Sequence, residues 1–78
     1  MCQKYNVGKI IYNFDKGTFL IISRNNNVLK LLDLSDNKNV IDYIVSSKTP
    51  NEYTILRMVD KLEFNRLIFN YKMLTKTL

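Results

Sequence analysis

The sequence predicts an α+β domain, a small antiparallel β-sheet or barrel of four to five strands followed by a C-terminal α-helix. Three observations predict it. Over the first two-thirds of the chain, short runs rich in Ile, Val, Leu and aromatic residues are cut at regular intervals by Gly, Asn, Asp and Ser. In the last third the period changes, and Phe64, Leu67, Ile68, Tyr71 and Leu74 fall at helical intervals. The chain has 78 residues, half the size of a ~150-residue domain, which leaves room for one core and one domain over residues 1–78.

The first strand is predicted over Val7 to Phe14, with Gly8 as a bulge or a point of close backbone approach. Asp15-Lys16-Gly17 supplies a hairpin turn, Gly17 taking the left-handed conformation of a short loop. Phe14 and Phe19 flank that turn and are expected to pack across the strands. Thr18 to Arg24 is apolar on both faces and reads as a central strand. Asn25-Asn26-Asn27 turns the chain, since Asn tolerates positive φ, and Val28 to Leu34 is a third strand. Ser35 to Asn39 has turn composition throughout. From Val40 to Ser47 the pattern alternates, Ile41, Tyr43 and Val45 against Asp42 and Ser46.

Residues 50–59 admit two readings. Thr49-Pro50-Asn51-Glu52 fits a helix-start box, with Thr49 as N-cap and Glu52 at the third helical position. Tyr53 to Val59, by contrast, is rich in β-branched and aromatic residues and would complete a five-stranded barrel. The preferred reading is a strand at 53–59, giving a β meander or barrel over residues 5–59. A helix follows over 61–74, with Asp60 as N-cap and Glu63 at its third position. The Gly8-led strand, the Lys16-Gly17 turn and the Phe19-Leu20-Ile21-Ile22 strand resemble the opening hairpin of SH3-like barrels. The resemblance covers about 20 residues, implies an SH3-like barrel and transfers no functional residue.

Composition excludes several chemistries. A single Cys, Cys2 beside Met1, cannot form an internal disulfide, and without His no Cys/His zinc site can be built. Absence of His also removes the commonest proton carrier. Gly8 and Gly17 are isolated and begin no phosphate-binding loop. Asp33, Asp36 and Asp42 lie around one turn, but their spacing matches no calcium loop. The expectation is therefore no enzyme, no cofactor, no metal and no small-molecule substrate. The longest unbroken apolar run, Phe19 to Ile22, falls far short of the ~20 residues that span a bilayer, so a cytoplasmic protein without a membrane partner is expected.

Net charge is +5 and the pI about 9.5, which raises the question of nucleic acid. No two of the twelve basic residues are adjacent, so no dedicated basic tract exists. Lys4, Tyr5, Lys9, Tyr12, Phe19, Arg24 and Lys30 interleave cations with rings and form the alternative, a nucleic-acid-binding β-barrel on which bases stack. The leading expectation is a protein interface on the C-terminal helix. Leu62, Phe69 and Met73 lie beside its main stripe and widen its apolar surface beyond what one small sheet needs to cover. Phe64, Leu67, Ile68, Phe69, Tyr71 and Met73 are the expected anchors, with Arg66 and Lys72 at the rim. The partner is another protein or a second copy in a homodimer, which would also relieve the small core.

Residue usage bears on origin. Asn, Lys, Ile and Tyr make up 32 of the 78 residues and Ala is absent, the bias of AT-rich codons. It suggests a low-GC bacterium or one of its phages or mobile elements, and hence an accessory protein that binds and modulates or inhibits a host protein.

Overall fold

The computed structural model describes residues 5–46 and 52–76. Five strands precede one helix: β1 (Lys9–Asn13), β2 (Gly17–Asn25), β3 (Val28–Asp33), β4 (Val40–Ile44), β5 (Thr54–Met58) and α1 (Lys61–Lys76). The strands form one antiparallel sheet in the order β4-β3-β2-β1-β5. Of the two expected forms the structure takes the open sheet and not the closed, SH3-like barrel, because β4 and β5 are its two edges and do not pair. Residues 54–58 are strand, so a helix begun at Pro50 is overturned there; Thr49, Pro50 and Asn51 themselves lie outside the described residues, as do Met1, Cys2 and Lys4.

The sheet is nonetheless strongly curled. Four strand spacings of about 4.8 Å would hold the edges of a flat sheet roughly 19 Å apart. Yet the ring of Tyr43 in β4 lies 4.8 Å, centroid to centroid, from the ring of Tyr53, which enters β5. Two irregularities supply the bend. In the β1–β5 ladder, Ile10 faces Arg57 and Ile11 faces Ile55, leaving Leu56 as an extra residue. Between β2 and β3, Ile21 faces Leu31 and Ser23 faces Lys30, leaving Ile22 over. One extra residue bends its strand and increases the local twist.

Gly8 carries the role of close approach. With φ at +95°, it donates its N–H to the Ile21 carbonyl at 2.9 Å and accepts the Val59 N–H at 2.8 Å. It thus sits between β2 and the end of β5, in a conformation that a side chain would disfavour. The first turn is held by Asn13, whose Oδ1 accepts the N–H groups of Asp15 and Lys16 at 2.8 and 3.0 Å. Phe14 at its tip is 88% exposed while Phe19 is buried, so the expected packing of Phe14 on Phe19 does not occur. Asn26 turns the next hairpin at φ +56°.

Alternation between the two bulges gives the sheet two apolar faces. One carries Tyr5, Ile11, Phe19, Ile21, Leu29, Leu31, Val45 and Tyr53, with Tyr43 and Ile55 against them. Ile10, Leu20, Leu32 and Val59 form the other, joined by Ile22, Leu34 and Val40 from the sheet and by Phe64, Leu67 and Tyr71 from α1. The helix therefore closes the second face, and the curl of the sheet with Tyr5 and Tyr53 closes the first. Asp60 caps α1, its Oδ1 accepting the Glu63 N–H at 2.7 Å. Glu63 reaches to β5, where Arg57 holds both its carboxylate oxygens at 3.0 and 2.7 Å.

Candidate protein interface

Helix α1 has no fully buried residue, although it is the only helix among the described residues. At about 100° per residue, Phe64, Leu67 and Tyr71 cluster on one side, and these three touch the sheet. Leu62, Phe69 and Met73 fall within about 40° of one another on the opposite side. Their exposures are 71%, 62% and 49%. The helix is therefore apolar on two opposed faces, and a one-sided amphipathic helix would have presented polar residues at 62, 69 and 73.

The predicted interface residues divide accordingly. Phe69 and Met73 are outward, flanked by exposed Arg66 and Lys72. Phe64, Leu67 and Tyr71 are half-buried against this chain's own second core, where their stripe meets the cluster of Ile10, Leu20, Leu32 and Val59. Ile68 is half-buried beside them. Leu62, read from the sequence with Phe69 and Met73 as surplus apolar surface but not among the expected anchors, belongs with the outward residues.

The residues of the alternative, nucleic-acid surface lie in different settings, and Lys4 is outside the described residues. Tyr5 and Phe19 are core side chains, with 0% and 3% exposure, so no base can stack on them. Arg24 donates from Nη1 to the Tyr5 carbonyl at 2.7 Å and from Nε to that of Asn26 at 3.0 Å. Lys30 pairs with Asp42 at 3.0 Å across β3 and β4. Lys9 is half-buried and Tyr12 exposed on β1. The interleaving of cations and rings read along the sequence is thus divided between core, turn and ion pair.

The acidic residues are also engaged locally. Asp33 Oδ1 accepts the N–H and hydroxyl of Ser35 at 2.9 and 2.7 Å. Asp36 accepts the N–H groups of Lys38 and Asn39, and these bonds hold its carboxyl below the usual range. Among the described residues no three His, Cys, Asp or Glu side chains are grouped to hold a metal ion, and no helix is long and apolar enough to cross a membrane.

Glu52 links three parts of the fold. It accepts Lys16 Nζ and the Tyr43 hydroxyl, each at 3.1 Å, while its backbone carbonyl accepts Asn13 Nδ2 at 3.0 Å. The Lys16 bond in particular lowers its pKa. These bonds tie the entry of β5 to the first turn and to β4. They organise the fold and leave the outer face of α1 untouched.

Comparison of the chain with protein-family models, with curated proteins and with solved structures finds no match.

Proposed function

We propose that this chain is a small, non-enzymatic binding module that docks a cellular protein along the outer face of α1 and modulates or inhibits it by occupying its surface. One observation carries the reading: Leu62, Phe69 and Met73 form an exposed apolar stripe on the side of the helix that faces away from the sheet. Complete burial of an exposed side chain of this size gains about 1.5–3 kcal/mol, of which roughly half to two-thirds is still available at each of these partly exposed positions, and apolar anchors with cations at the rim suit an interface. Residue usage, with its AT-rich bias, fits an accessory protein of a phage or mobile element acting on a host factor.

The test compares tagged wild-type chain with Phe69→Asp in affinity capture at about physiological salt, where loose charge contacts are screened over ~8 Å, with and without nuclease treatment. A protein species retained by the wild type and lost by a folded Phe69→Asp variant supports the reading. Equal retention by both sinks it, and material lost only on nuclease treatment puts nucleic acid in its place.

A further inference from the structure

The outer stripe constrains the chemistry of what covers it, an inference that rests on the protein-binding reading of α1. Leu62, Arg66, Phe69, Met73 and Lys76 are separated by alternating steps of four and three, the spacing of a seam along which a second helix packs. The 16 residues of α1 make a rod about 24 Å long. Arg66 stands inside this seam, between Leu62 and Phe69. Exposed Lys61, Asn65 and Lys72 border one side. Asn70 and Glu63 border the other, and the Glu63 carboxylate is already held by Arg57 at 2.7 Å. Among the described residues, the surface around the stripe therefore offers cations and amides and no unpaired carboxylate.

We propose that the occupant is an acidic amphipathic helix of a different protein, laid along Leu62, Phe69 and Met73 with a carboxylate opposite Arg66. A guanidinium covered by a packed helix is costly unless an anion meets it. A second copy of this chain packed seam to seam would set Arg66 and the bordering lysines against their like, its one bordering carboxylate, Glu63, being already held by Arg57. Like charges brought together across an interface select against that pairing. An acidic partner satisfies Arg66 and is steered by the bordering lysines as well.

The probe is a synthetic helical peptide of about three heptads, with Leu along its seam and Glu at one central seam position and on its borders. A control peptide carries Lys at every Glu. Binding to the full-length chain is read by fluorescence anisotropy, with folding of each variant checked by circular dichroism. The acidic peptide is expected to bind at least ~10-fold more tightly than the basic one, and Arg66→Glu to reverse that preference. A reversal by one side chain distinguishes a seam contact from the overall positive charge, which stays positive in the variant. Equal affinity for both peptides, no binding of either, or an unchanged preference in Arg66→Glu overturns the inference. So does a homodimer in sedimentation at ~100 μM that Phe69→Asp dissociates, or binding to phosphatidylserine vesicles in place of the peptide. If capture remains dependent on Phe69 while the peptide preference fails, the protein-binding reading stands and the acidity of its partner falls.

Discussion

Tyr5 and Tyr53, 48 positions apart in the chain, are joined by a single phenol: the Tyr5 hydroxyl donates to the Tyr53 carbonyl at 2.8 Å and accepts the Tyr53 N–H at 3.3 Å. Both residues are buried. One side chain thereby satisfies both backbone groups of the residue that enters edge strand β5, where no neighbouring strand is available on the outer side.

Replacing Tyr5 by Phe keeps the ring and removes this bridge. The Tyr53 N–H and carbonyl would stay buried without partners, so the change is expected to cost about 1–3 kcal/mol. Urea denaturation should show a lower midpoint at an unchanged slope. A loss under ~0.5 kcal/mol, the scatter of ordinary surface changes, would show that the bridge contributes little.

How far this architecture is legible in the sequence depends on whether a feature is local. Strand positions follow from alternation and from Gly and Asn turns, and the Asp60 cap from its place three residues before Glu63. The core role of Tyr5 is not local, since its partner lies 48 residues away, and a ring beside Lys4 reads equally well as a stacking platform. Closure fails for a similar reason. The same five-strand pattern fits a barrel and an open sheet, and the difference lies in whether β4 and β5 exchange backbone bonds or meet through side chains such as Tyr43, Glu52 and Tyr53. On α1 the period marks apolar positions without saying which of two stripes docks. That choice is made by Ile10, Leu20, Leu32 and Val59, which receive Phe64, Leu67 and Tyr71.

The two faces of α1 should respond oppositely to substitution. Phe64→Ala removes a ring packed on the second core and should cost about 2–4 kcal/mol, near the low end for aromatic truncation because Phe64 is only half-buried. Phe69→Ser alters a side chain with 62% exposure and should change stability by no more than about 0.5 kcal/mol. Paired thermal melts decide the matter. If Phe69→Ser proves as destabilising as Phe64→Ala, the outward stripe is part of the core and the proposed interface is lost.

The start of α1 depends on Asp60. Its carboxylate accepts the Glu63 N–H at 2.7 Å, one of the four donors that a helix leaves unpaired at its N-terminus. Asp60→Ala is expected to lower stability by about 1 kcal/mol, and Asp60→Asn, which can still accept that bond, by less. Equal losses in the two variants would assign the effect to charge and not to the cap.

Acid should weaken the fold through Glu52. Its carboxyl is held below the ordinary glutamate value of 4.5, first by the Lys16 hydrogen bond and then by the Tyr43 hydroxyl, against an opposing cost of burial. Between the lowered folded value and 4.5, the unfolded chain binds more protons than the folded one, so stability rises with pH through that window. The contribution is complete above 4.5 and is lost as pH falls through the folded value. Glu63, lowered by Arg57, and Asp36, lowered by its backbone bonds, act in the same direction. Glu52→Gln removes one of these three groups while keeping an acceptor for Lys16 and Tyr43, so its stability should fall less steeply on acidification than that of the wild type. Urea midpoints measured from neutral pH down to about pH 3 provide the comparison, and parallel profiles for the two proteins would show that the lowered pKa of Glu52 does not contribute to acid sensitivity.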